Sequence, residues 1–180
     1  VMLFARRLYP SLHHAEHTAR LSVRLFDDLA PLHRLPTAAR ELLEFAALLH
    51  DVGNVVSRSA HHKHSLYIIA NAELPGVSDR ERAVIANVAR YHRRSIPRGR
   101  HELFDALPAE DQHGVLMLST LLRVANALDR GHYGNVVALR ASIEPERVVL
   151  HVQCLVDADV ETRAVAGKSH HFERLWGKKL

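Results

Sequence analysis

The stretch Ala47-Leu48-Leu49-His50-Asp51-Val52-Gly53 decides how this chain is read. An apolar helical run closes on a histidine beside an aspartate, and a glycine follows. Neighbours on a helix point about 100° apart, so an adjacent polar pair rarely serves one packing purpose. Near a helix end, the same pair can converge on one small object. Neutral imidazole and carboxylate are both good ligands for divalent cations. The plain alternative is a His-Asp pair that caps and solvates a helix, with Gly53 as its stop. On the pair alone the helix-end reading leads, so the surrounding chain has to decide.

Upstream, Leu12, Ala15, Ala19, Val23, Phe26 and Leu29 recur at helical spacing behind a candidate cap, Ser11. Pro31 and Pro36 bracket a loop, and Thr37 is the expected cap of the helix that ends at Gly53. Downstream, His61-His62-Lys63-His64-Ser65 opens a third helix. Ser78 with Glu81 forms a capping-box signature for a fourth, which runs to His92-Arg93-Arg94 before a loop through Gly99. A helical turn near His101–Leu107 and a long helix from about Glu110 to Asp129 follow. The period then changes. Val136–Ile143 and Arg147–Val152 alternate as a hairpin across Glu144-Pro145-Glu146, and Asp159–Leu175 is helical again. The expected fold is mainly α: a helical domain over residues 1–132, with a small αβ tail over 133–180 packed on it.

The polar residues placed where helices should be buried or should end form a pattern. His17 lies among apolar neighbours, His50 and Asp51 close the second helix, His64 opens the third, and His92 lies near the end of the fourth. Asp129 follows the apolar run Leu121–Leu128, at a helix end that disfavours negative charge unless a cation lies close. His17, His50, Asp51 and Asp129 make a mixed nitrogen and oxygen ligand set that suits Mn, Fe, Ni, Co, Zn or Mg. His61 and His62 can replace His64 through a small shift of helix phase. His13, His14, His132, His170 and His171 read as surface residues.

The whole chain of 180 residues is long enough for one well-cored domain. Its charge of +4 with neutral histidines permits an anionic partner. No long basic run occurs and the aromatics are scattered, which argues against nucleic acid. No apolar run is long enough to span a membrane. The single Cys154 excludes an intramolecular disulfide and a cysteine-based zinc site, and fits a reducing, cytoplasmic location. Homodimerisation is left open. There are 15 histidines, which is notable because imidazole both titrates near neutrality and binds metals.

The order His17, His50-Asp51, Asp129 resembles the signature of the HD superfamily of metal-dependent phosphohydrolases, whose fold is a helical bundle with ligands on separate helices. His64 and His92 resemble the extra histidines of its binuclear subgroups. That likeness implies up to two ions with Asp51 as the bridge, although Arg93 stands where some of those proteins have a further histidine. A closer resemblance lies in His61–Ile69, Glu73-Leu74-Pro75-Gly76, Ala89-Arg90-Tyr91-His92-Arg93-Arg94, Leu121–Arg130 and Phe172-Glu173-Arg174-Leu175-Trp176-Gly177. These are similar to the C-terminal region of the exopolyphosphatase and guanosine pentaphosphate phosphohydrolase family. The likeness covers nearly the whole chain. It implies that the family's actin-like hydrolytic region, with its glycine-rich phosphate loops, is not part of this sequence. The chain then corresponds to the helical portion, stand-alone or as a fragment.

What the likeness implies about function is metal-assisted hydrolysis of a phosphoester or phosphoanhydride in a nucleotide, polyphosphate or other phosphorylated small molecule. Asp51, or Asp129 beside it, would orient the attacking water. Lys63, Arg93, Arg94, Arg123 and Arg130 are candidate phosphate clamps, with Lys63 and Arg93 close enough in sequence to the ligands to assist the reaction. A solvated surface is the alternative for Lys63, Arg93 and Arg94, and a salt bridge near Asp129 for Arg123 and Arg130. The rival function is a non-catalytic module that holds polyphosphate or a guanosine polyphosphate for a separate catalytic domain.

Overall fold

The structure, a computed structural model, describes residues 1–9, 11–98 and 101–180; Pro10 and Gly99 lie outside the described residues. Its helices are α1 (Met2–Leu8), α2 (His13–Asp28), α3 (Ala30–His33), α4 (Ala38–Leu49), α5 (His61–Ala70), α6 (Asp79–Arg90), α7 (Glu102–Asp105), α8 (Ala109–Ala127) and α9 (Asp159–Trp176), with a 3-10 turn over Val52–Val55. Strands β1 (Val136–Ile143) and β2 (Val148–Cys154) pair antiparallel, with Ile143 opposite Val148 at the turn end. Mainly helical, with a small two-stranded sheet near the C-terminus, is therefore the architecture.

The long helices form because their apolar residues keep the 3.6-residue period, and each buries that stripe against a neighbour. α4 packs between α2 and α6, α5 lies on α6, and α8 crosses α2, α4 and α6. Leu25, Leu43, Leu49, Ile69, Ile85, Leu118 and Leu121 fill the space between them and are essentially inaccessible to solvent. Val136, Leu139, Val148 and Phe172 join the same apolar core, so the sheet and α9 pack onto the helices. No helix of the described residues is long and apolar enough to cross a membrane.

Several local expectations change. The Ser78–Glu81 capping box is present with both of its bonds. Ser11, however, does not cap α2: Leu12 holds that position, and the Ser11 hydroxyl lies 3.4 Å from the His13 amide. Thr37 is the N-cap of α4 by position but makes no capping bond, because its backbone is already helical. Pro31 sits inside the first turn of α3 rather than in a loop, a place where its missing N–H costs nothing. Residues 2–8, which carry no clear periodic signal, form α1.

Gly53 is the informative correction. α4 stops at Leu49, and Gly53 lies in the 3-10 turn beyond it without a left-handed backbone. Its smallness is needed for close approach. A Cβ there would collide with the His61 carbonyl oxygen and the Ser65 amide nitrogen and would come within 2.8 Å of His64 Cβ. Ser65 fastens the same contact: its hydroxyl donates to the His50 carbonyl (2.7 Å) and accepts from the Gly53 amide (2.9 Å). The end of α4 is thus pinned to the start of α5. Gly53→Ala should destabilise the fold by about 1–3 kcal/mol, since backbone atoms must move to admit the methyl group. Urea denaturation would measure this, and an unchanged midpoint would contradict the close-approach reading.

Candidate metal centre

The end of α4, the start of α5, the end of α6 and the first turn of α2 meet at one place. Each contributes histidines. Ring contacts run from His132 to His14, on to His50, His92, His61 and finally His62. Asp51 lies beside the middle of this row. Its Oδ1 is 2.9 Å from His61 Nε2, 3.6 Å from His92 Nε2 and 3.7 Å from His50 Nε2. Two groups have donor atoms close enough together to share a cation: His14 with His50 and Asp51, and Asp51 with His61 and His92. Asp51 belongs to both.

The protons on these rings are directed by the backbone. His50 Nδ1–H donates to Ala47 O (2.7 Å), His92 Nδ1–H to Ala89 O (2.6 Å) and His61 Nδ1–H to Arg58 O (3.1 Å). In each case the carbonyl is three residues earlier. With its proton on Nδ1, His50 turns a lone pair on Nε2 toward Asp51, whereas His61 Nε2 also lies 3.3 Å from His92 Nε2 and 3.4 Å from Arg93 Nη1. His50 Nε2 and Asp51 Oδ1 are buried with no hydrogen-bond donor among the described residues, although His61 Nε2 lies at hydrogen-bonding distance from that oxygen. Lone pairs facing a carboxylate oxygen need a positive charge between them. This is how a metal ion would fit, and histidine ligands oriented through their second nitrogen are the usual support for one.

Burial and neighbours set the charges. Burial acts to raise the Asp51 pKa, but the imidazoles of His50, His61 and His92 outweigh it and hold the carboxyl far below its ordinary range. Burial pushes His50 down, with Asp51 pulling the other way, and pushes His92 well down, helped by His50. Burial and then Arg90 and Arg93 push His62 down to about 4. Tyr9, from just beyond α1, accepts a hydrogen bond from the Asp51 amide (3.0 Å), and its phenol is pushed well up by burial and by Asp51.

The other expected residues fall around this centre. Asp129 lies one step behind it: Oδ2 accepts from His14 Nδ1–H (2.7 Å) and Oδ1 from the Gly134 amide (2.9 Å). It therefore orients His14. His17 Nε2–H donates to Val136 O (2.8 Å), tying α2 to β1, and its Nδ1 is 3.3 Å from Asp129 Oδ2. His17, Asp129 and His64 belong to neither group of three, and His61 stands where His64 was expected. Gly134 has a left-handed backbone, φ 67°, and packs against His13 and His17, where a side chain would not fit. His132 is exposed, as read, whereas His14 is half-buried, and their rings stack 3.6 Å apart with planes inclined by 2°.

Among the cations, Arg93 reaches the centre, with Nη1 3.4 Å from both ring nitrogens of His61. Arg123 is buried and committed elsewhere: it donates to the carbonyls of Tyr91 (2.6 Å), Arg94 (2.8 Å) and Ser95 (2.7 Å), and burial lowers its pKa to about 10. It holds the turn after α6 instead of facing a ligand. Lys63, Arg94 and Arg130 are exposed. Lys168 on α9 was not singled out from the sequence. Burial lowers its pKa, with Arg123, Arg93 and Arg130 adding to the effect, so α9 brings another cation into their field.

Comparison with known proteins gives the family. The profile described as Ppx/GppA phosphatase, domain III, matches residues 3–163, and the chain belongs to that family. It is similar to a guanosine-5'-triphosphate,3'-diphosphate pyrophosphatase of Pseudoalteromonas translucida, 43% identical over 68 residues, 38% of this chain and 13% of that protein. Proteins of the same name are similar in Aeromonas hydrophila, 29% identical over 118 residues (62% of this chain, 22% of that protein), and in Aeromonas salmonicida, 31% over 74 residues (41% and 15%). The matches thus span less than a quarter of the length of these relatives.

A pH dependence follows from the charges. In metal-free protein His50 and His92 titrate below the unfolded value of about 6.5, so their stabilisation is complete above it and falls as the pH drops through it. Asp51 and Asp129 are held low, so what they add is present above about pH 4 and is lost below. The urea midpoint in chelator should therefore fall from about pH 7.5 to about pH 5.5, with proton uptake on unfolding. A flat midpoint across that window would show that the histidines are not held neutral.

Proposed function

We propose that the chain is a metal-dependent phosphohydrolase of the HD type acting on a nucleotide or another phosphorylated small molecule. The observation that carries this reading is the convergence of His50, His61 and His92 on the buried Asp51, with no hydrogen-bond partner for His50 Nε2 among the described residues. A bound divalent ion would supply the charge that activates water and neutralises phosphoryl oxygens. His14, His50 and Asp51 would hold one ion and Asp51, His61 and His92 a second, with Asp129 fixing the tautomer of His14. Asp51, ionised and buried, would orient the attacking water. Arg93, beside His61, would hold a phosphoryl oxygen, and the exposed Lys63, Arg94 and Arg130 would meet more distant charge. Membership in the phosphatase family and the pyrophosphatase names of its relatives support hydrolysis of a phosphoanhydride. A homodimer and a cytoplasmic location remain part of this proposal.

A second reading is favoured by the short share of the relatives that the chain matches, 13% to 22%. It is an accessory module that binds a polyphosphate or guanosine polyphosphate for a catalytic region elsewhere. Metal-loaded protein would then bind such anions without turnover.

Purified protein should carry divalent metal, and Asp51→Ala should lose it along with about 10²–10⁴-fold in rate on a panel of nucleotides, guanosine polyphosphates and polyphosphate. Parent-like turnover by Asp51→Ala would end the hydrolase reading. Metal content also separates neighbouring histidines. His61→Ala and His14→Ala should lose metal, whereas His64→Ala should keep it; the reverse order for His61 and His64 would assign the second group wrongly.

A further inference from the structure

We propose that Tyr9 is a positioning residue for the metal centre: its hydroxyl takes the Asp51 amide, leaves the Ala47 carbonyl to His50, and so sets which nitrogen of that ring carries the proton. This deepens the reading above, on which it rests only for the roles of His50 and Asp51 as ligands. A helix that continued past Leu49 would send the Asp51 amide to the carbonyl four residues back, Ala47 O. That carbonyl accepts the His50 Nδ1 proton instead, at 2.7 Å. The Asp51 amide donates to the Tyr9 hydroxyl, 3.0 Å away and 42 residues earlier in the chain. Asp51 has φ −107° and ψ 5°, so the backbone leaves the α-helical path at this residue and enters the 3-10 turn. The next free carbonyl, His50 O, is met by the Ser65 hydroxyl at 2.7 Å. Side chains of Tyr9, His50 and Ser65 therefore replace the bonds that a further turn of α4 would have made.

Tyr9 is carried to this place by a folded element. It ends α1, with its own amide bonded to Ala5 O at 3.0 Å, and α1 packs on α4 and on the 3-10 turn. Residues 2–8 have no other visible part in the centre, and this contact gives the helix one. Without the hydroxyl, the Asp51 amide has no acceptor, and the one that helix geometry offers is Ala47 O. The amide then competes with His50 Nδ1–H for that oxygen. The ring has a second place for its proton. Nε2 lies 3.7 Å from Asp51 Oδ1, and an Nε2–H would be received there by an ionised carboxylate. That exchange closes the lone pair a cation would use, because the nitrogen facing the site is set by the bond the other nitrogen makes. Tyr9 thus acts on the centre through His50 and the Asp51 amide.

The test uses the full chain, labelled with ¹⁵N and freed of metal with chelator, at about pH 7.5, where His50 is neutral. Two-bond nitrogen–proton spectra of the imidazoles report which nitrogen carries the proton. The parent should show His50 protonated on Nδ1. Tyr9→Phe, which keeps the ring and deletes one oxygen, should raise the ratio of Nε2–H to Nδ1–H about 3- to 10-fold, the range for one hydrogen bond. The same variant should bind Zn²⁺ about 10-fold more weakly than the parent in competition with a chromophoric chelator. Leu8→Ala trims the packing of the same segment and keeps the hydroxyl, so it should lower the urea midpoint and leave the His50 pattern as in the parent. An unchanged His50 pattern in Tyr9→Phe overturns the proposal. So does the same change in Leu8→Ala, which would assign the effect to packing. A parent that binds no Zn²⁺ counts against the metal reading, and the His50 pattern then decides this one by itself.

Discussion

His50, His61 and His92 each spend the Nδ1 proton on the carbonyl three residues behind them, and the character of the molecule's centre depends on that. The bond is local, within one helical turn or at a helix start, so it costs no long-range contact. Its effect is long-range, because it turns the Nε2 atoms of three segments toward one carboxylate. His33 shows how a structural histidine differs. Its Nε2–H donates to Phe26 O and its Nδ1 accepts from the Leu35 amide, so neither nitrogen is left over. His50 is as deeply buried and has one nitrogen without a donor. That difference, more than the number of histidines, sets the centre apart from the rest of the interior.

The helices were legible because burial imposes its period on the sequence wherever a long element packs on one face. The position of Asp51 and the pairing of His50 with it were legible for the same reason, since an apolar run that ends in His-Asp leaves few places to put the charge. The choice between His61 and His64 was not. It depends on where α5 begins, and α5 begins after Ala60, which adopts a left-handed backbone, φ 55°. Alanine carries no signal for that conformation, unlike glycine or asparagine. Once the helix starts there, His61 takes the deep position, and His64 is left against the 3-10 turn beside Gly53.

His14 and His17 pose a different problem. They are three residues apart on one helix face, so periodicity places both toward the core equally well. What separates them comes from far along the chain. The loop after α8 brings His132 onto the ring of His14 and Gly134 against His17, while β1 offers the Val136 carbonyl to His17. A carboxylate just past the end of α8, as Asp129 is, is opposed by the helix dipole. Its partners turned out to be the His14 N–H and the Gly134 amide. A hydrogen-bonded carboxylate behind a histidine supports that histidine, and from a linear order of residues the two roles look alike.

The same reasoning bears on what this part of the family can do alone. His14, His50, Asp51, His61, His92 and Asp129 all lie within residues 3–163, the part that matches the family profile. Both three-residue groups are drawn from the described residues of this part of the family. The bulk of the positive charge at the rim is placed differently. Arg93 follows α6, Arg130 follows α8, and Lys168 comes from α9, which is held in place by packing on α8. A centre fixed by short-range hydrogen bonds and a rim fixed by helix packing can vary separately. Loss of a single Nδ1 bond would therefore reorient one ring of the centre and leave the cationic rim in place.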